Sequence, residues 1–411
     1  MQLNSAKPFS YESTPASGLV AYFSMEIAID RGMPTYSGGL GMLAGDTLRS
    51  AADLGVPLVA FSLAHRKGYF QQRLSQSGDQ SEEVQPWNPA DFCTEEAARI
   101  KVSVEGRDVT VRAWRYDLEG RYGHVVPIYL LDTDLEGNSG WDRGLTDHLY
   151  GGDTNYRLQQ EIVLGMGGVR MANALGKRVN VYHMNEGHAA LLTLALLESE
   201  MGGGPLNSPM DADILQVRDK CVFTTHTPVP AGHDRFSTEQ TIRILGGERT
   251  ARLEKLGVFE NGLLNMTLLA LRFSRYVNGV AMQHGKVSRT MFPQFQIDSI
   301  TNGVHAPTWI SEPMQQLLDK HLASWRRDNL TLRNAIDLPE QEILNAHRRA
   351  KEALLTEVAT RTGLVMNPNV LTLGFARRAA TYKRASLLFT DPERLMKIAM
   401  QAGGLQILYA G

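Results

Sequence analysis

The sequence predicts an α/β protein: a large unit organised around a mainly parallel sheet, followed near Met366 by the start of a second α/β unit. Three observations carry this. Short apolar runs alternate with stretches of helical spacing, polar clusters stand directly after several of those runs, and a fresh strand, helix and strand begin beyond Asn367-Pro368.

Residues 19–23 and 56–63 are apolar runs, and between them Leu40, Leu43, Ala44, Leu48, Ala51 and Ala52 fall at helical spacing, so the chain opens as strand, helix and strand. Gly55 stands where a left-handed residue closes a helix. From residue 100 to 132 the pattern alternates: Val102 and Val104, then Val109, Val111 and Ala113, separated by Glu105-Gly106-Arg107-Asp108, read as an antiparallel insertion. Helical spacing returns over residues 156–175. Residues 179–184 read as a strand leading into a helix from His188, and residues 220–224 as a strand that ends at His226. Alternation of this kind implies parallel strands, whose ligands gather at the carboxyl ends. A helix-rich stretch, 338–361, precedes Gly363 and Asn367-Pro368, and residues 370–376 begin the next strand. Asp391-Pro392 starts a helix with a cap and a proline at its first position, and residues 405–410 form one more strand. Two parallel strands and their crossover cannot bury both sheet faces, so residues 367–411 read as an incomplete domain with more chain expected after Gly411.

A chain of 411 residues exceeds the usual single domain, and 43% hydrophobic with 21% charged residues is an ordinary globular balance. With 42 basic and 44 acidic residues the net charge is -2, which excludes a broad electropositive field for nucleic acid or anionic lipid. Any anion site must be local. Cys93 and Cys221 show no metal-ligand or disulfide spacing, so no metal is expected and a reducing cytoplasm fits. Residues 1–18 contain no apolar signal core, and the longest apolar run, 189–197, is too short to cross a bilayer; a soluble, unexported protein is expected.

Four clusters could carry chemistry. Ser37-Gly38-Gly39-Leu40-Gly41 leads into a helix, where close backbone approach and free amides suit a phosphate, or simply make a tight helix entry. Arg377-Arg378 and Tyr382-Lys383-Arg384 follow a strand; they could hold a dianion or form a solvated face. Asn185-Glu186-Gly187-His188 lies where a strand turns into a helix, with donors and acceptors for a polyhydroxylated ligand, although Asn185 could also be a helix cap. His226, in Thr224-Thr225-His226-Thr227-Pro228 with His233 and Asp234 shortly after, is either structural or catalytic.

Taken together, these segments resemble the α-glucan (glycogen, starch or maltodextrin) phosphorylases, especially their short microbial branch. The similarity runs along nearly the whole chain. It rests on Ala21-Tyr22-Phe23-Ser24-Met25-Glu26, on residues 36–46, 183–188 and 224–236, on Val277-Asn278-Gly279-Val280-Ala281, on Thr301-Asn302-Gly303-Val304-His305, and on residues 376–384. The resemblance implies a two-lobed glycosyltransferase-B-type architecture of Rossmann-like domains. Residues 1–366 would form the glucan- and phosphate-binding lobe, and residues 367–411 the start of the cofactor-binding lobe. It implies reversible phosphorolysis of α-1,4-glucan or maltodextrin by inorganic phosphate to glucose 1-phosphate, with pyridoxal phosphate as cofactor. By that similarity Gly38, Gly39 and Leu40 approach the phosphate and glucosyl unit, and Arg377, Arg378 and Lys383 bind phosphate. His226 contacts the glucosyl residue, Asn185, Glu186 and His188 border its pocket, and Glu26 matches a cleft glutamate.

Departures bear on activity. Ala379-Ala380-Thr381 stands where relatives place bulkier or more polar residues, and the Glu-Ala-Ser-Gly run ending Asn-Met-Lys that carries the family's cofactor lysine does not occur here. Its absence leads to the expectation that these 411 residues alone are inactive. The short N-terminal stretch leaves no room for the phosphorylated, nucleotide-sensing extension of animal enzymes. A nucleotide-sugar-dependent glucan synthase shares the two-lobed fold but usually places lysine before the glycines, where Tyr36 and Ser37 stand here. A non-catalytic glucan-binding fragment is the alternative from another class.

Overall fold

The computed structural model describes residues 18–201, 211–227, 232–377 and 381–410. The chain forms two compact units, Met1–His305 and Ala306–Gly411.

In the first unit the opening strand, helix and strand are β1 (Leu19–Ser24), α1 (Gly39–Leu54) and β2 (Leu58–Leu63). Gly55 closes α1 at φ 67° and its N–H returns to the last turn of the helix, as the local chemistry requires. The other strands of the same ten-stranded sheet are β3 (Thr94–Glu95), β4 (Ile100–Val104), β5 (Arg107–Glu119), β6 (Val125–Asp132), β7 (Val179–Asn185), β8 (Cys221–Thr225), β9 (Tyr276–Gly279) and β10 (Asp298–Ser299). Their order is β10-β9-β8-β7-β1-β2-β6-β5-β3, with β4 paired to β5. Every pairing from β10 to β6 is parallel. The alternating segment 100–132 is antiparallel as expected, yet it is not set apart: β6 joins β2 in parallel and carries β5, β4 and β3 as the sheet's antiparallel edge.

Both sheet faces are covered, which explains the near-continuous apolar runs. On β1, Ala21 and Phe23 enter one core and Tyr22 the other; on β2, Val59, Phe61 and Leu63 oppose Leu58 and Ala60. Ala44, Leu48, Ala51 and Ala52 of α1 seal the second core. The helical stretch after residue 150 is not one regular helix. It runs as α2 (Thr154–Glu161), a π-helical turn over Ile162–Gly167, and α3 (Gly168–Ala174). The backbone at Gly165 passes so close to the start of α4 (Leu192–Glu200) that a Cβ there would lie 2.7 Å from the Leu192 nitrogen.

The second unit holds α5 (Glu312–His321), α6 (Glu340–Thr362), β11 (Leu371–Ala376), α7 (Pro392–Gln401) and β12 (Leu405–Ala410). Lys320 and His321 of α5 both reach Glu342 of α6, at 2.8 and 3.1 Å, and Trp325 anchors a small core with Ala306 and Leu318. The division of the chain thus falls at His305, and the boundary expected near Met366 lies inside this unit, because the helix that ends at Gly363 packs on α5. β11 and β12 pair in parallel, Leu371 opposite Leu405 through Ala376 opposite Ala410. No residue of either strand or of α7 is buried.

Candidate functional site

Strand order reverses between β1 and β7: from β1 the chain moves to β2 and β6 on one side, from β7 to β8 and β9 on the other. Such a reversal leaves a crevice beyond the carboxyl ends of the two central strands. The chain places Ser24, Met25 and Glu26 at one lip and Asn185 and Glu186 at the other, with His226 just after β8.

Glu26, only 3% exposed, turns back onto the glycine loop. Its Oε2 accepts from the Ser37 and Gly38 N–H groups at 2.7 and 3.1 Å, and its Oε1 accepts from the Tyr150 hydroxyl at 2.8 Å. The first two loop amides are therefore satisfied by the protein's own carboxylate. Gly41 is required by this packing, since a Cβ there would lie 2.5 Å from the Tyr36 Cβ and 2.8 Å from a Glu26 oxygen. Gly39 differs: it is exposed, and a side chain would meet no described atom within 4 Å. No described side chain caps α1, so its first amides, beginning with Gly39 and half-buried Leu40, are oriented by the helix and available to an anion.

At the facing lip, Asn185 is the last residue of β7 and the residue at the cap position is Glu186, so the simple cap reading of Asn185 does not hold. One chain of hydrogen bonds fixes its direction. The Ser24 hydroxyl donates to the Glu26 carbonyl at 2.7 Å, the Asn185 amide donates to Ser24 Oγ at 3.0 Å, and Asn185 Oδ1 consequently faces His226 Nε2 at 2.6 Å. A carbonyl only accepts, so each group along the chain is oriented and Nε2 must be the protonated nitrogen. Burial, helped by the neighbouring imidazoles of His284, His183 and His188, lowers the His226 pKa to about 3. The ring is neutral, with its lone pair on Nδ1.

Glu186 adopts φ 72°, rare for a residue with a side chain. Its Oε1 accepts from the Gly187 N–H at 3.1 Å and its Oε2 from the His226 N–H at 2.8 Å and the Thr227 hydroxyl at 3.0 Å. Burial raises its pKa, and those donors pull the other way. Glu186 thereby ties the backbone after β8 to the end of β7.

His188, in the turn that follows, is buried, and burial reinforced by Arg157 lowers its pKa to about 4. Its Nε2 lies 3.0 Å from Arg157 Nη2 and 3.3 Å from Asp234 Oδ2. Arg157 also pairs with Asp234 at 3.1 Å and Glu161 at 3.4 Å, and its guanidinium sits 4.5 Å over the Tyr150 ring. Burial, then Asp234, holds the Glu161 carboxyl well above the usual range. For Asp234 burial acts upward too, but His188 and Arg157 outweigh it and leave its pKa lowered.

Sequence reasoning missed Tyr150, Arg157 and Glu161. The available signal was compositional: Gln159, Gln160 and Glu161 are polar on consecutive positions of a helix that runs straight into Ile162-Val163-Leu164, yet all are buried. His305 lies away from this crevice, pairing at 3.0 Å with Asp53 in the last turn of α1, the end opposite the glycine loop.

Arg377, Lys383 and Arg384 belong to the second unit, and Arg378 lies outside the described residues. Arg377 is exposed and its N–H continues the β11 pairing to the Ala410 carbonyl at 3.0 Å. Lys383 and Arg384 border a cavity of about 620 Å³ together with Phe375, Asp391, Arg394 and Tyr409. Arg384 sits at φ 53°, a second strained residue within a motif singled out from sequence.

No protein-family model matches the chain. Among curated proteins it is 38% identical to maltodextrin phosphorylase of Thermococcus litoralis over 92% of this chain and 49% of that protein. It is 36% identical to glycogen phosphorylase of Mycobacterium tuberculosis over 99% of this chain and 53% of that protein, and 32% identical to glycogen phosphorylase of Aquifex aeolicus over 98% and 63%. The chain spans about half the length of the first two.

Proposed function

From the premise that this chain belongs to the α-glucan phosphorylase family, we propose that it contributes the glucan- and phosphate-binding part of an enzyme that phosphorolyses α-1,4-glucan. An oxygen of inorganic phosphate forms the new bond to the anomeric carbon with retained configuration. The bond from that carbon to the next glucose breaks, the departing oxygen takes the proton that the attacking phosphate gives up, and glucose 1-phosphate leaves.

The observation that supports this best is the pairing of the two lips at the strand-order reversal: an anion-ready helix start on one, and a neutral, oriented His226 on the other. His226 Nδ1 accepts from a glucosyl hydroxyl, while Asn185 keeps the ring in the required tautomer and Glu186 holds its backbone. His188 borders the same pocket. Gly38, Gly39 and Leu40 bring the loop backbone against the phosphate and sugar. Arg377, Arg378 and Lys383 of the second unit are the phosphate-binding cations that the family resemblance implies; opposite unit charges in contact are worth about 4 kcal/mol at an effective dielectric near 20. Arg378→Ala should therefore weaken phosphate use more than glucan binding.

Pyridoxal phosphate, which the family implies, would supply proton transfer to the substrate phosphate. None of this chain's lysines stands in the family's Asn-Met-Lys run, so the residues present do not fit its covalent attachment and no step is assigned through it. Release of glucose 1-phosphate from maltoheptaose and inorganic phosphate, by the protein carrying this sequence, is the test. Elongation of maltoheptaose from ADP-glucose would replace the reading with a glucan synthase, and tight maltoheptaose binding with neither product would leave a glucan-binding module.

A further inference from the structure

Tyr150 stands at the junction of the two lips. It follows buried Leu149, precedes Gly151-Gly152, and is held at φ 56°, a conformation that costs a bulky side chain energy and persists only where its surroundings enforce it. Two contacts enforce it here. The hydroxyl donates to Glu26 Oε1 at 2.8 Å, and the ring carries the Arg157 guanidinium at 4.5 Å while standing edge-on to His188 at 5.8 Å. The first of these is not local in sequence, since Glu26 lies 124 residues away.

Among the described residues the buried Glu26 carboxylate is held by two backbone amides, the Tyr150 hydroxyl and a longer contact to the Ser37 hydroxyl at 3.5 Å. Removing the Tyr150 donor leaves one oxygen of a buried carboxylate unsatisfied, and such an oxygen turns to find other donors. The loop amides bound to the second oxygen would then lose their fixed acceptor.

We propose that Tyr150 is the positioning residue of the glycine loop: through Glu26 it fixes the Ser37 and Gly38 amides, and through Arg157 it ties that setting to His188. A ligand then meets a loop already in its binding conformation, instead of selecting it from several. The inference rests on the phosphorylase reading only for the identity of the ligand; the loop-fixing role does not require it.

Hydrogen exchange on the 411-residue chain tests the role directly. In Tyr150→Phe, exchange in a peptide spanning residues 36–48 should rise about tenfold, while peptides covering β2 and β8 stay as in the parent. Tyr156→Phe is the control. Its hydroxyl bonds to backbone instead, accepting from the His148 N–H at 3.2 Å and donating to the Gly144 carbonyl at 2.8 Å, with no hydrogen bond to Glu26 or the loop. It should leave the 36–48 peptide unchanged. Glu26→Gln should loosen the same peptide, and adding Tyr150→Phe to it should cause little further rise, because the two act in series.

Unchanged exchange in the Tyr150→Phe loop, or an equal rise in all peptides, overturns the proposal. In an active protein, Tyr150→Phe should raise KM for inorganic phosphate about tenfold with kcat within about twofold. Faster loop exchange with unchanged phosphate KM would keep the positioning role and remove phosphate as the loop's ligand.

Discussion

At the scale of single residues, the placement of one proton decides what His226 offers. Its Nε2–H is committed to Asn185 by a chain that ends at a backbone carbonyl, which leaves the Nδ1 lone pair as the ring's remaining hydrogen-bonding group. Asn185→Asp keeps the shape but replaces a neutral acceptor with a carboxylate 2.6 Å from the ring. Attraction between the two should raise the His226 pKa from about 3 by roughly 1 unit or more, and an NMR titration of the ring would show it. An unmoved titration would mean that the Asn185 contact does not set the charge state. The identities of His226 and Asn185 were readable as candidates from their positions after apolar runs. The direction of the hydrogen bonds was not, because Ser24, Glu26, Asn185 and His226 meet only when β1, β7 and β8 lie side by side.

At the scale of elements, glycine positions separate packing from ligand access. Gly41→Ala would press a methyl against the Tyr36 Cβ and the Glu26 carboxylate, and should cost about 1–3 kcal/mol, read as a lower midpoint in urea. Gly39→Ala meets open space and should leave the midpoint almost unchanged while weakening ligand binding. From sequence these two glycines belong to one run and look alike. What was legible was local chemistry: Gly55 as a left-handed helix end, and Asp391 as a cap whose side chain accepts from the Arg394 N–H at 3.0 Å. The π turn at Ile162–Gly167 was not: the backbone of Leu191 and Leu192 lies against Gly165 within it, a tertiary contact that no local pattern states. The division of the chain at His305 was hidden for the same reason: a helix run does not state which side it packs on.

At the scale of the whole molecule, neutral buried imidazoles govern the response to acid. Burial lowers His65, His183 and His188 to about 4 and His226 to about 3, against about 6.5 in an unfolded chain. The folded pKa values lie below the unfolded one, so between pH 6.5 and 4 the unfolded chain binds the protons and stability falls as pH falls. Near pH 5, four such groups make the slope about 5 kcal/mol per pH unit. Unfolding midpoints measured from pH 7 to 4 should drop steeply below about pH 6, and a flat profile would show that these rings are already protonated in the folded protein.

The strand order also bears on how the protein is made. β1 is the centre of the sheet, but its partner β7 is translated late; Ser24 and Asn185, which meet at the carboxyl ends, are 161 residues apart. At about 5–20 residues per second, ribosomes leave one edge of β1 unpaired for about 10–30 s. Nascent chains that end before Val179 should be readily cut by protease, and those that include β7 should resist. During that interval an apolar strand edge is open to pairing with any other chain, an exposure that ends only when β7 arrives.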